Sequence, residues 1–394
     1  MTAHVIADDA EALAVAASLA GEFRAGASAR DAERRLPRAE LDRLSASGLL
    51  AVTVPAEHGG ADVGAATLAE IFRLLGAADA SLAQIPQSHF VYANVIRRQG
   101  TEEQRKFFFA ELLAGRRFGN AQSEAGTRHV QDIRTRLHPR PDGSYRLDGV
   151  KHYSTGALFA DWIPVLARAE DDKLHVAYVP QDAPGVTVID DWDGLGQRTT
   201  ASGTVRLEGV EIPADRVLPH HLTFEGPQLH GAVAQLLHAA IDTGIAGGAL
   251  AEAAEFVRTK SRPWFESGAD TAAEDPLLIQ RFGELALPVR ASEALLREAA
   301  RAVDTARADL TDDSAAEASV AVAVAKVQAA QAAVGVAGAL FEVSGTRSAL
   351  NSLNLHRYWR DARTHTLHDP TRWKIQHIGR YVLNGTRPPR HGLL

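Results

Sequence analysis

The chain has 394 residues, 45% hydrophobic and 23% charged, with 42 Lys and Arg against 49 Asp and Glu for a net charge of −7. That balance is ordinary for a globular protein, and without a basic block it points away from nucleic acid and from an anionic membrane surface. Cysteine is absent, which excludes disulfides, thiolate catalysis, thiolate-bound zinc and iron–sulfur clusters.

The first residues, M-T-A-H-V-I-A-D-D-A-E, lack the basic start and apolar core of a signal peptide. No apolar run approaches the roughly 18 residues that span a bilayer, so a cytoplasmic protein with no membrane partner is expected. Residues 8–118 read as helical. Ala and Leu alternate with acids at helical spacing over 9–22, and 37–48 repeats the pattern with Gly48 as stop. After a loop at 54–64, helices are predicted over 65–78, 81–99 and 102–114. Gly59-Gly60 does not follow a strand, so it is a turn and not a dinucleotide fingerprint.

The texture changes near Phe118. Short β-like runs follow at 133–138, 144–147, 162–167, 175–180, 186–190 and 203–207, separated by the turn signals P-D-G, A-P-G and E-G. From residue 229 long helices return, over 233–260, 276–308, 313–344 and 370–383, before a tail expected to be extended. The class is α+β, in three parts: an N-terminal helical domain (1–117), a central β domain in the form of a small sandwich or barrel (118–227), and a C-terminal helical bundle (228–394).

Chemistry concentrates in residues 359–374, W-R-D-A-R-T-H-T-L-H-D-P-T-R-W-K. His365 and His368 share a helix face, and the helix must stop before Pro370, because a residue preceding proline leaves the α region. Asp369 and Pro370 then read as N-cap and first residue of a new helix, which holds His368 at a tight turn by a positive helix end. Spacing alone would equally suit a polar interhelical corner. Two clusters in the β domain, F-G-N-A-Q-S-E-A-G-T (118–127) and G-V-K-H-Y-S-T-G (149–156), offer side chains such as Asn120, Gln122, Ser123, Ser154 and Thr155 to the edge of a heteroaromatic ring, or serve as turns. S-R-P-W-F (261–265) places Arg262 for a phosphate and Trp264 and Phe265 for a flat ring, or simply ends a helix. F-E-V-S-G-T-R-S (341–348) ends a helix at Gly345, followed by Thr346.

In this order, these clusters and the α–β–α arrangement resemble the acyl-CoA dehydrogenase family over essentially the whole chain. S-R-x-x-F followed by I-Q-x-F (279–282) is similar to that family's flavin-contacting helix pair. G-V-K-H-Y-S-T-G is similar to the strand that sets a hydroxyl, here Ser154, at flavin N5. F-E-V-S-G-T-R is similar to a flavin loop that reaches across a subunit interface. The resemblance therefore implies flavin contacts from Asn120, Ala121, Gln122, Ser123, Tyr153, Ser154, Arg262, Trp264, Phe265, Gly345 and Thr346.

The turn L-H-D-P-T lacks the glutamate with which dehydrogenases of this family abstract an α-proton, and Asp369 is shorter and expected to be occupied as an N-cap. R-T-H-T-L-H-D-P, with D-W-D-G-L-G-Q-R-T-T-A-S-G-T (191–204) and the P-P-R-H-G-L-L ending, resembles the flavin-dependent monooxygenases on this fold, of the dibenzothiophene monooxygenase and sulfur-acquisition type. That resemblance implies reduced FMN delivered by a separate flavin reductase, O2, a C4a-(hydro)peroxyflavin, and a small, sulfur-containing substrate. It assigns His368 the direct role, His365 as its partner, and Ser154 and Asn120 as hydrogen-bond donors or acceptors to the flavin or peroxide. His89 and Tyr92 would line the substrate side, and a homotetramer or homodimer is expected. The alternative is an FAD-dependent acyl-CoA dehydrogenase whose base is Asp369 or Glu284. A metal site is not expected, since His365, His368 and Asp369 lack a further ligand at helical spacing.

Overall fold

The N-terminal region of the computed structural model, which describes residues 3–394, contains α1 (Asp9–Glu33), α2 (Arg38–Ala46), α3 (Ala65–Ala78), α4 (Ala80–Gln84), α5 (Gln87–Gln99) and α6 (Glu102–Leu113). α1 starts where the Asp8 side chain accepts the Glu11 backbone N–H, and it runs eleven residues past the predicted end at 22. Its second half is held by tertiary contact: buried Arg30 donates from Nε to Asp79 at 3.0 Å. The helix predicted over 81–99 is two helices. Pro86 has no N–H to donate, so the chain bends between Gln84 and Gln87.

The β domain is one curled seven-stranded sheet, not two layers, in the order β5-β6-β2-β1-β3-β4-β7. Its strands are β1 (Arg136–Pro139), β2 (Tyr145–Lys151), β3 (Trp162–Arg168), β4 (Leu174–Pro180), β5 (Val186–Ile189), β6 (Thr204–Ile212) and β7 (Val217–Leu218). All pairs are antiparallel except β1 with β3. The E-G signal at 208–209 is not a turn. β6 continues through it with a bulge against β2, and Gly209 takes the left-handed φ of +64° that the extra residue requires.

α7 (His230–Lys260) forms the axis of the C-terminal bundle, packed by α8 (Pro276–Ala308), α9 (Asp312–Ser344), α10 (His356–His365) and α11 (Thr371–Asn384). Gly244 and Gly248 let α3 approach; a Cβ on Gly248 would lie 2.6 Å from the Ala77 carbonyl oxygen. Contrary to the reading of the sequence, α9 is apolar and long enough to cross a membrane. It serves here as a core helix of the bundle, and its one charge between Glu317 and Glu342, Lys326, is fully buried and paired. The tail also departs from expectation, because it folds back. Leu394 is buried, its carbonyl lies on Gly231 at the start of α7, and the Leu393 carbonyl accepts from Lys374 Nζ at 2.9 Å.

Candidate active site

The bend between α4 and α5 is where the domains meet. Gln84 ends α4 with Oε1 at 3.0 Å from His365 Nε2. The next residue, Ile85, presents its carbonyl to Gly156, whose φ is +77° and whose Cβ would lie 3.2 Å from that oxygen. Gln87 then donates from Nε2 to the Ala234 carbonyl of α7 at 3.1 Å. Three residues thus join the end of α10, the Ser154 loop and α7.

A polar cluster is buried at this junction. On α7, His238 and Asp242 stand one turn apart and face the same way. Asp242 Oδ2 accepts from Lys326 Nζ at 2.7 Å, and its Oδ1 lies 2.5 Å from His365 Nδ1. His365 Nε2 lies 3.0 Å from His238 Nδ1, and the His238 ring lies against that of His368, with centroids 4.0 Å apart and planes inclined by 40°. Burial alone would push Asp242 up, but Lys326 and His365 outweigh it and hold the acid below its ordinary value. Burial holds His238 well below the usual histidine value; it also lowers His365, against the pull of Asp242.

Of these residues, sequence reading found His365 and His368 but missed His238, Asp242, Lys326 and Gln84. A signal existed. His238 and Asp242 are the only titratable residues between His230 and Glu252, and a lone charge in an apolar helix must find a partner. Nor do His365 and His368 share a helix face. α10 ends at His365, and the turn, closed by the His368 N–H on the His365 carbonyl at 3.1 Å, puts His238 between the two rings.

Asp369 is not the expected N-cap. α11 starts at Thr371 behind Pro370, without a side-chain cap. Asp369 is buried instead, with Oδ2 on Lys374 Nζ at 2.6 Å and Oδ1 at 3.8 Å from His368 Nδ1, too far for a hydrogen bond. Burial would raise it, but His368 and Lys374 hold it far below the usual carboxylate range. His368 keeps 42% of its side chain exposed at this turn.

The two β-domain clusters come together. Buried Lys151 donates to Glu124 Oε1 at 2.7 Å and to the Gln122 carbonyl at 3.2 Å, tying residues 118–127 to 149–156. Burial pushes the Lys151 ammonium down to about 8 against the pull of Glu124. Gly119 packs on Ala157, where a Cβ would lie 2.8 Å from Cα. Asn120 Oδ1 and Ser154 Oγ are both buried without a hydrogen-bond partner among the described residues. Such atoms are costly unless something satisfies them, and a heterocycle carrying N–H and C=O groups on its rim fits both.

Other predicted contacts fare differently. Ala121 offers nothing to a ligand: its side chain is in the sheet core, its N–H goes to Pro164 and its carbonyl to Leu166. Ser123 and Gln122 remain beside Asn120, with the Ser123 carbonyl taken by the His152 N–H at 2.8 Å. Tyr153 is 63% exposed and packs edge-on to Trp192. His89 is a structural residue. It is buried, Nε2 donates to the Leu50 carbonyl at 2.7 Å, and Nδ1 accepts the Phe118 N–H at 3.0 Å, so neither nitrogen is left for a substrate. Burial pushes it down to about 4. Tyr92 is buried in the adjoining aromatic core, with its hydroxyl 3.4 Å from Gln122 Oε1.

Arg262, Trp264, Phe265, Gly345 and Thr346 gather elsewhere, on the surface. Ser261 Oγ reaches the Ser344 carbonyl at 3.4 Å and Arg347 reaches that of Lys260 at 3.0 Å. Phe265 is 80% exposed. This patch lies at the far end of α7, more than twenty residues from His238, or roughly 30 Å at 1.5 Å per residue. Within one chain it does not meet the Ser154 loop.

The segment at 191–204 completes the junction: the Gly196 N–H donates to Thr364 Oγ1 at 2.9 Å, the Gln197 N–H to Asp361 Oδ1 at 2.6 Å, and the Gly203 carbonyl accepts from the Ser154 N–H at 3.0 Å. Sequence comparison matches profiles of the acyl-CoA dehydrogenase N-terminal domain over residues 9–116, the middle domain over 118–210 and the C-terminal domain over 236–373. The chain belongs to the acyl-CoA dehydrogenase family. It is 36% identical to dibenzothiophene monooxygenase of Rhodococcus erythropolis, across 97% of this chain and 95% of that protein. It is 33% identical to the probable FMNH2-dependent monooxygenase SfnC of Pseudomonas putida, across 98% of each. Among solved structures, FMN-bound TdsC from Paenibacillus sp. A11-2 superposes with a TM-score of 0.92 at 34% identity, covering 97% of this chain and 100% of that one. Within its family, then, the chain is a flavin-dependent monooxygenase.

Proposed function

We propose that the chain is the oxygenase of a two-component system that takes reduced FMN from a separate flavin reductase and uses O2 to oxygenate a small, sulfur-containing substrate. The observation that carries this is the state of the acids at the histidine turn. Asp369 is neutralised by Lys374, and Asp242 is closed between Lys326 and His365. Glu284, the other candidate base of the dehydrogenase alternative, is ion-paired to Arg281 at 3.0 Å on the outer surface of α8. None of Asp369, Asp242 and Glu284 is therefore free to abstract a carbon-bound proton.

Bound FMN, when reduced, supplies the electrons that activate O2. The protein's own share is placement and proton handling. Asn120 and Ser154 would hold the ring through their unpartnered oxygens, which would each gain a hydrogen bond in doing so. His368, on a turn closed by one backbone hydrogen bond and backed by the His238 ring, presents an imidazole that donates to or accepts from the oxygen being transferred. The Asp369–Lys374 pair keeps the turn's charge balanced beside the His368 imidazole. A homotetramer or homodimer fits the exposed apolar side chains of Trp264, Phe265, Leu277, Val382 and Leu383, and would bring Arg262 and the Gly345 loop to a neighbour's flavin. The reading entails a cytoplasmic enzyme.

The test is anaerobic titration with reduced FMN, followed by mixing with O2 in the presence of dibenzothiophene as probe. Tight binding of reduced FMN and oxygen incorporation into the sulfur are expected. A protein that instead purifies with FAD and is bleached by an acyl-CoA would overturn the proposal.

A further inference from the structure

We propose that His238 and His365 form a proton relay that opens beside His368 and is backed by the buried carboxylate of Asp242. The inference rests on the oxygenase reading. It adds two residues, His238 and Asp242, for which the sequence motifs gave no role.

Tautomers follow from the partners. Asp242 Oδ1 can only accept, so His365 carries its proton on Nδ1, at 2.5 Å. Neutral His365 therefore has a bare Nε2, which accepts from His238 Nδ1 at 3.0 Å. That leaves His238 Nε2 as a lone pair with no protein partner among the described residues. Its ring touches that of His368, the exposed member of the group. The stack is thus carboxylate, imidazole, imidazole, with a basic nitrogen at its open end.

One proton can move through it in balance. It binds His238 Nε2, and the proton on His238 Nδ1 passes to His365 Nε2. His238 is again neutral, as the other tautomer, and His365 is an imidazolium. The charge then rests where the structure best receives it: Asp242 lies at 2.5 Å, and the new Nε2–H has Gln84 Oε1 at 3.0 Å as acceptor. Reversal returns the proton. The charged and titratable groups facing the two rings are His368 from the turn, Asp242 on the same helix, Lys326 from α9 and Lys374 from α11. Lys326 and Lys374 limit the relay to one proton at a time, and a burial-lowered His238 keeps it empty near neutral pH.

Two measurements test this. Without flavin, solid-state 15N spectra of histidine-labelled protein at pH 7.5 should show His238 and His365 neutral with the proton on Nδ1, assigned by loss of signal in His238→Phe and His365→Asn. A proton on His238 Nε2 refutes the relay. With reduced FMN and O2, product formed per FMN oxidised is followed from pH 5.5 to 9 in the parent, His238→Phe, Asp242→Asn and His238→Ala. His238→Phe keeps a ring against His368 but cuts the path; coupling should fall at least tenfold and the acid limb of the profile should vanish. Imidazole added to His238→Ala should restore several-fold of the loss, which a packing role would not allow. Unchanged coupling and profile in His238→Phe would refute the proposal, as would absence of rescue in a His238→Ala protein that melts like the parent. A parent that oxygenates nothing refutes the oxygenase reading instead, while the 15N tautomers still decide the relay.

Discussion

Replacing Lys326 by Met isolates the energetic core of this site. Lys326 and Asp242 are both wholly buried and 2.7 Å apart. At an effective dielectric constant of about 20, unit charges at that distance attract by about 6 kcal/mol. Much of this offsets the desolvation of two ions, but removing one partner strands the other, at a cost of about 3–5 kcal/mol. Lys326→Met should therefore destabilise by that amount at pH 8. The double variant Lys326→Met/Asp242→Leu should lose less, about 1–3 kcal/mol, since it leaves only the His365 N–H without an acceptor. The pH dependence has a definite sign. In the parent the folded-state value of Asp242 is lowered, so its contribution is complete above the ordinary unfolded carboxyl value and disappears only as pH falls through the lower folded one. Between pH 5.5 and 8 the parent is flat in this respect. In Lys326→Met burial pushes the acid up, the folded state binds a proton more readily than the unfolded state, and the deficit shrinks as pH falls. Urea unfolding followed by far-ultraviolet circular dichroism at pH 8 and 5.5 measures both. A single variant as stable as the parent, or a deficit no larger at pH 8 than at 5.5, would refute the account.

Three further outcomes follow from the geometry. Asn120→Ala and Ser154→Ala each remove one hydrogen bond to the flavin, worth about 0.5–1.5 kcal/mol, so anaerobic titration should show reduced FMN binding roughly 2- to 12-fold weaker. His89→Phe should lower the melting temperature, by loss of two buried hydrogen bonds, yet leave the KM for substrate unchanged in the folded fraction; a raised KM would return His89 to the substrate side. Deleting 392–394 removes one of the two acceptors of Lys374 and uncovers Gly231, so peroxide release should rise as the Asp369–His368 turn loosens; unaltered coupling would show that the tail does not hold the turn.

Much of the architecture was legible in the sequence because it depends on local terms. Helical periodicity located α3, α6, α8 and α9 to within a residue or two, and capping chemistry explains the starts of α6 and α8 at Thr101 and Asp275. The change to short β runs marked the sheet. Local signals failed where a distant partner decides the outcome. α1 runs on through Gly26 because Arg30 is pinned by Asp79 across 49 residues, and E-G is a bulge because β2 pairs on both sides of it.

The site divides in the same way. Sequence alone determined that a histidine-bearing break without a glutamate precedes Pro370, and that two clusters rich in hydroxyls and amides lie in the β domain. A turn at proline and a cluster of short polar side chains are properties of neighbouring residues. Tertiary structure decided the rest. It closed both nitrogens of His89, moved Asp369 from helix cap to ion pair, sent Arg262 and Gly345 to a remote surface, and inserted His238 between the two predicted histidines. Each of these depends on which buried polar atom finds which partner, and apart from the Asp369–Lys374 pair those partners lie 29 to 127 residues away, as at His89–Phe118 and His238–His365. Desolvation makes such pairing obligatory, and only the packing of α7 against α9 and α10 determines with whom.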